Sequence, residues 1–253
     1  MTGWEDSAAE FLQPWKENNN VLAALMTGSY ATGLQTEHSD INIHIILDSK
    51  TTWRERGYKT VGKHHIAYFA TPFKQLIRHF EQDKQLGRHV DATAFANSRI
   101  LFDKTGVAKQ LKDHAESVLD KPFPEPSETH RELLKAGIHN QHMKLKSAKE
   151  RDMNGFSYTY HHFLDKLLTH YARFLKADLP QRDKIVAFFS DEDFQSRYGV
   201  KPFPDPVFSN LFKEAIYQTE PEKQLASAQR LQDHVIDQMG GFDHNNWRIR
   251  ETL

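Results

Sequence analysis

Short apolar runs separated by polar turns dominate the first half of the chain. Residues 21–26 are apolar and end near Gly28, which predicts a buried strand. In residues 40–48, isoleucine and leucine take alternate positions, so the predicted strand has an apolar face and a face that begins with Asp40 and Asn42. Similar patterns predict helices at 7–16, 73–82 and 107–119, a strand at 64–71, and a hairpin connection with some strand at 51–62. Residues 92–102 fit a strand or a helix.

The second half of the chain has the spacing of helices throughout. Residues 156–177 place their aromatic and leucine side chains on one stripe. Further helices are predicted at 127–151, 182–189, 205–219 and 220–239. Between the two halves, Lys121 to Ser127 includes three prolines within five residues, which forbids a helix and favours an extended linker. We therefore predict an α+β fold with two domains, residues 1–122 and 127–253, of which the second is a helical bundle.

The charges of the chain nearly cancel. The 253 residues include 33 Lys and Arg and 34 Asp and Glu, which gives a net charge of -1. Without a positive field, nucleic acid and anionic membranes are disfavoured as main partners. No stretch has the pattern of a membrane span or a secretory signal, and the absence of Cys removes disulfides and thiolate metal sites. We therefore expect a soluble, cytoplasmic protein.

Polar residues at the ends of the first two predicted strands are the main candidates for a binding site. Gly28 and Ser29 follow the first strand, where a missing side chain lets backbone N–H groups approach an anion and a hydroxyl can bond to it. About ten residues later, Ser39 and Asp40 open the second strand, and Asp40 and Asn42 project from one face. This arrangement suits a phosphate beside a divalent cation.

The same residues resemble the signature of the nucleotidyltransferase superfamily of the DNA polymerase beta type. That signature is Gly-Ser, roughly ten residues, and then Asp-x-Asp on a strand, and the resemblance covers residues 21–106. It implies an N-terminal mixed sheet with flanking helices, and a nucleoside triphosphate bound with Mg²⁺ or Mn²⁺. The implied site residues are Gly28, Ser29 and Ser39 for the nucleotide, Asp40 for the metal, and Asp40 and Asn42 at the catalytic positions.

Two of the three carboxylates that the family uses are missing from this sequence. The subgroup that looks closest, small-molecule nucleotidyltransferases that include aminoglycoside-modifying enzymes, has a helical C-terminal domain and a third carboxylate in a stretch of the form Ile-Glu-Tyr-Phe. The matching stretch here has Ala67 in place of Glu, and Asn42 stands at the second position. A two-metal site needs anionic ligands for both cations. Asp91 is an alternative carboxylate ligand, or a solvated or arginine-paired turn residue, and His44 and His65 are alternative ligands for a softer metal.

Two functions therefore stay open. An active enzyme would bind a nucleoside triphosphate with Mg²⁺ and transfer a nucleoside monophosphate to a hydroxyl of a small acceptor that the sequence does not identify. A catalytically impaired family member would use the same site as a nucleotide-sensing or partner-binding module. Because related enzymes often build the acceptor site across two subunits, the resemblance also allows a homodimer.

Overall fold

A computed structural model of the chain describes residues 3–151 and 155–250. The strands are β1 (Val21–Thr27), β2 (Ile41–Leu47), β3 (Glu55–Val61), β4 (His64–Pro72) and β5 (Arg99–Asp103). The helices are α1 (Trp4–Glu17), α2 (Ser29–Thr32), α3 (Phe73–Gln85), α4 (Val90–Ala96), α5 (Val107–Leu119), α6 (Glu128–Arg151), α7 (Phe156–Leu175), α8 (Ile185–Ser190), α9 (Glu192–Tyr198), α10 (Pro206–Ile216) and α11 (Pro221–Gln238), with a 3₁₀ turn at Arg182–Lys184 before α8.

The strands form one mixed sheet in the order β3-β4-β2-β1-β5. Strands β2 and β4 run parallel, whereas every other neighbouring pair is antiparallel. The strand expected within residues 51–62 is β3, which forms a hairpin with β4. The segment is not a hairpin connection between β2 and β4, because these two strands are parallel. The sheet and the helices that follow it confirm the predicted α+β class and the helical C-terminal region.

Different helices cover the two faces of the sheet. Ile41, Ile43 and Ile45 belong to a buried cluster that includes Phe11 of α1. Ile46 points the other way, into a cluster formed with α3, α4 and α5. Both clusters are removed from water, and this burial is the main stabilising contribution. The alternation predicted for β2 is confirmed.

The ambiguous segment 92–102 contains both a helix and a strand. Helix α4 ends just before Asn97, and β5 begins just after Ser98. Asn97 Nδ2 donates to the Thr93 carbonyl at 2.9 Å, and Ser98 Oγ donates to the Phe95 carbonyl at 2.6 Å. The backbone amides of Asn97 and Ser98 donate to the same two carbonyls, at 3.2 and 3.1 Å, so these side chains reinforce the end of the helix. No single period fits the segment because its structure changes in the middle.

The helices of the second half bury the aromatic stripe that the sequence predicts. On α7, Tyr160, Phe163 and Tyr171 are at most 1% exposed. Tyr160 Oη donates to the Ala215 carbonyl at 2.8 Å, which gives the buried hydroxyl a partner.

A membrane-spanning helix has to combine sufficient length with an apolar composition. Within residues 3–151 and 155–250, no helix does so.

A buried polar cluster surrounds Asp205, the N-cap of α10. Its Oδ1 accepts the Phe208 amide at 2.9 Å, its Oδ2 accepts the Tyr171 hydroxyl at 2.5 Å, and His234 Nε2 lies 2.7 Å from Oδ2. Burial alone raises the pKa of Asp205, but the hydrogen bonds from these three groups outweigh it and hold the pKa below its usual value.

The chain divides into two compact units. The first contains Met1–Phe123 and Glu192–Val200, and the second contains Pro124–Asp191 and Lys201–Leu253. Helix α9, which the sequence patterns did not predict, is therefore part of the first unit although it lies far along the chain.

Candidate functional site

The turn after β1 has a backbone conformation that glycine alone adopts readily. Gly28 has φ 72° and ψ -155°, and its carbonyl accepts the amides of Ala31 and Thr32 at 3.0 and 3.2 Å. Helix α2 begins at Ser29, which is half-buried. The first amides of a helix have no acceptor within it, so the start of α2 can offer backbone N–H groups as well as the Ser29 hydroxyl. This combination suits an anion.

Strand pairing brings Asn42 next to this turn. Thr27 pairs with Asn42 in the antiparallel β1–β2 ladder, and a Cβ atom added at Gly28 would lie 3.2 Å from Asn42 Nδ2. Asn42 Nδ2 donates to the carbonyl of Asp40 at 3.3 Å. Asp40 directly precedes β2 and is half-buried. The structure therefore brings Gly28, Asp40 and Asn42 together at one end of the sheet.

The parallel pairing of β2 with β4 places Ala67 directly beside Asn42. Ala67 is only 3% exposed. These are the two positions at which the resemblance implies carboxylates. An amide and a methyl group thus stand side by side where two negative charges are expected, and Asp40 is the carboxylate that remains next to them.

Ser39 has a partner in the turn that leads into β2. Its amide donates to the Thr36 carbonyl at 3.1 Å, and its Oγ accepts the Thr36 amide at 2.9 Å. These bonds close the turn over residues 36–39. The Ser39 side chain therefore helps to fix the position of Asp40 at the start of the strand.

Asp91 is engaged with helix α3. Its Oδ2 lies 3.9 Å from His79 Nδ1, and its amide donates to Asp83 Oδ2 at 3.0 Å. Burial, followed by the neighbouring Asp83 carboxylate, raises the pKa of Asp91, while His79 and Arg88 oppose this shift. These contacts place Asp91 in a charged cluster between α3 and α4.

His44 and His65, the other alternative ligands, also have described neighbours of their own. The ring centroid of His44 lies 5.1 Å from that of Phe69 in a stacked arrangement and 4.7 Å from that of Phe95 edge-on. Its Nδ1 is buried without a hydrogen-bond partner among the described residues, and burial lowers the pKa of His44 to about 4. His44 is therefore neutral at pH 7. His65 Nδ1 lies 3.1 Å from Thr60 Oγ1.

The side chains at this site do not fit the pair of magnesium ions that the resemblance implies. Within residues 3–151 and 155–250, no three His, Asp or Glu side chains form a group able to hold a metal ion. Magnesium is bound through oxygen ligands, and two ions need several anionic ones. Asp40 can contact a single cation that a nucleotide carries with it. Asn42 offers only a neutral amide oxygen and Ala67 no ligand atom, so neither supplies the negative charge that a second cation needs.

The structure adds a contact that the sequence patterns did not indicate. Arg197 of α9 donates from Nη1 to the carbonyl of Gly33, the residue that ends α2, at 3.2 Å. The two residues are 164 positions apart. A local signal exists for the helix itself, because Phe194 and Tyr198 are four residues apart and their rings stack with centroids 4.9 Å apart. No local pattern indicates where that helix docks.

A family model matches the part of the chain that carries the resemblance. Residues 8–116 match the family model of the nucleotidyltransferase domain, which confirms the predicted resemblance over that segment. Among solved structures, the chain is similar to a nucleotidyltransferase-like protein from Exiguobacterium sibiricum 255-15, with 11% sequence identity over 93% of this chain and 75% of that chain and a TM-score of 0.48. A search of curated proteins found no match.

Proposed function

We propose, from the premise that residues 8–116 match the nucleotidyltransferase domain, that the first unit binds a nucleoside triphosphate with its magnesium ion and does not transfer the nucleotide. The protein would then act as a nucleotide-sensing module. The observation that carries this proposal is the side-by-side placement of Asn42 and Ala67 next to the Gly28 turn.

Nucleotide binding is supported by the turn and by one carboxylate. Gly28 has a positive φ that glycine adopts readily, and a side chain at this position would meet Asn42. The backbone N–H groups at the start of α2 are the groups that would bind an anion here. Asp40 is half-buried at the start of β2, where it can contact the cation of a magnesium–triphosphate complex. The negative charge of Asp40 makes the complex a better ligand than the free triphosphate, because the cation lies between the two anions.

The absence of transfer is supported by the neutral side chains at positions 42 and 67. In an in-line displacement, the attacking and leaving oxygens both need electrostatic stabilisation. Asn42 contributes a neutral amide whose Nδ2 already donates to the Asp40 carbonyl, and Ala67 contributes no polar atom. Removing one such stabilising group commonly lowers the rate by about 10²–10³-fold. Two are missing here.

Thermal unfolding with and without nucleotides tests this proposal. In the presence of Mg²⁺, at least one of ATP, GTP and CTP should raise the Tm, by the amount that RT ln(1 + [L]/Kd) predicts. Asp40→Asn should reduce the increase that depends on Mg²⁺. The matched control is Asp91→Asn, which removes the carboxylate that lies 3.9 Å from His79 and should leave the nucleotide response unchanged.

Two outcomes would overturn the proposal. Failure of all nucleotides to stabilise the protein would remove nucleotide binding. A nucleotidylated product, formed from labelled nucleoside triphosphate with Mg²⁺ or Mn²⁺ and a panel of small hydroxyl acceptors such as aminoglycosides, would show that transfer persists despite the missing carboxylates.

A further inference from the structure

We propose that helix α9, together with Gly199, positions the turn from Gly28 to Gly33, so that the nucleotide site depends on a segment outside the matched residues 8–116. The proposal rests on the proposed function for the identity of the ligand. It makes Arg197 a positioning residue, which acts on the site through the backbone that it holds.

The first contact joins Arg197 to the end of α2. Arg197 Nη1 donates to the Gly33 carbonyl at 3.2 Å, and Gly33 has φ 74°, which is the left-handed conformation that ends the helix. Arg197 Nε lies 2.9 Å from Asp193 Oδ2, one turn earlier on α9. This ion pair orients the guanidinium toward Gly33.

The second contact seats the end of α9 against the residue that follows α4. Asn97 Nδ2 donates to the Tyr198 carbonyl at 3.0 Å. Gly199 has φ 63°, and a Cβ atom there would lie 2.8 Å from both Asn97 Nδ2 and Asn97 Oδ1. Only glycine therefore allows this approach without displacement of Asn97.

External support matters for α2 because the helix is a single turn. It contains four residues, and no side chain caps its N-terminus. A helix this short is not stable by itself, since nucleation fixes several residues for very few hydrogen bonds. The turn is flanked by Asn42 at Gly28 and by Arg197 at Gly33. Loss of the Arg197 contact should let the turn sample other conformations. The conformation that binds an anion would then be populated less, and the apparent affinity would fall.

Hydrogen exchange of the nucleotide-free full-length chain tests the positioning role directly. Arg197→Ala and Gly199→Ala should each speed exchange of the amides of residues 29–34, while the amides of β2 keep their protection. The matched controls are Lys109→Ala, which removes an exposed ion pair of the same spacing on α5, and Gly87→Ala, where φ is 71° and the added Cβ meets nothing within 4 Å.

Nucleotide affinity provides the second readout. Arg197→Ala should raise the Kd of the nucleotide that stabilises the wild type by about 5-fold, the size expected from one partly exposed hydrogen bond. By linkage, saturating nucleotide should slow exchange of residues 192–200 in the wild type. The controls should change neither quantity.

The outcomes separate this proposal from the proposed function. Unchanged exchange at residues 29–34 in both variants would overturn the positioning role, and so would a uniform increase across the first unit, which indicates general destabilisation. Faster exchange at the turn with an unchanged Kd would overturn the link to binding. If the wild type binds no nucleotide, the proposed function fails, and the exchange of the nucleotide-free chain still decides whether α9 holds the turn.

Discussion

Restoration of the two missing carboxylates should make the stability of the first unit depend on Mg²⁺. The perturbation is the double substitution Asn42→Asp with Ala67→Glu. Because these positions are partners in the parallel β2–β4 ladder, the two new carboxylates would lie beside each other and close to Asp40. Three negative charges at one place repel one another unless a cation lies between them.

The size of the effect follows from the strand spacing. Neighbouring strands lie about 4.8 Å apart, so the two new carboxylates would be separated by about 5 Å. At an effective dielectric constant of about 20, their repulsion amounts to about 3 kcal/mol. Binding of Mg²⁺ at about 100 times its Kd stabilises the folded state by about 2.7 kcal/mol. The cation should therefore restore most of what the repulsion removes.

Urea unfolding in a chelator and in about 10 mM MgCl₂ measures both parts of this prediction. The control is Ala67→Gln with Asn42 retained, which places a side chain of similar size at this 3% exposed position without a charge. The double variant should also bind nucleoside triphosphate more tightly in Mg²⁺. If its free energy of unfolding responds to Mg²⁺ no more than that of the control, positions 42 and 67 do not face a common cation site and the reasoning is wrong.

Three further predictions concern single residues. Gly28→Ala should lower the free energy of unfolding in urea by about 1–3 kcal/mol, because its φ of 72° and ψ of -155° suit glycine alone, and should weaken nucleotide binding. Burial lowers the pKa of His44 in the folded protein to about 4, so the fold is most stable above pH 6.5 and loses stability as the pH falls toward 4. In His44→Phe, the free energy of unfolding in urea should vary less over this pH range, by up to about 3 kcal/mol. Because the pKa of Asp205 is lowered in the folded protein, its ionised carboxylate stabilises the fold above pH 3.8, and this stabilisation is lost as the pH falls further. Tyr171→Phe removes one donor to this carboxylate at a cost of about 1–3 kcal/mol and should shift acid unfolding, followed by circular dichroism, to higher pH.

Local periodicity was sufficient to predict most elements of the sheet. Side chains alternate in a strand, so residues 40–48 indicated both the buried face of β2 and the shared face of Asp40 and Asn42. The pairing of Asn42 with Ala67 is different, because strand register depends on packing between distant segments and no pattern within either strand specifies it. The family resemblance supplied that correspondence.

The surroundings of the candidate site were harder to predict. Sequence alone offered Asp91 as an alternative carboxylate, but its contacts with Asp83 and His79 depend on how α3 and α4 pack. Docking of α9 on Gly33 joins residues 164 positions apart, and a period of 3.6 residues carries no information at that distance.

The late position of α9 has a consequence for how the protein is made. Ribosomes release a chain from its N-terminus at about 5–20 residues per second, so Gly33 emerges roughly 10–30 s before Arg197. During that interval the strands can pair and cover their faces, but the bonds from Arg197 to the Gly33 carbonyl and from Asn97 to the Tyr198 carbonyl cannot yet form. If α9 positions the turn as proposed, a nascent chain would acquire its sheet early and the last, about 5-fold, part of its nucleotide affinity only after residue 200 has been added.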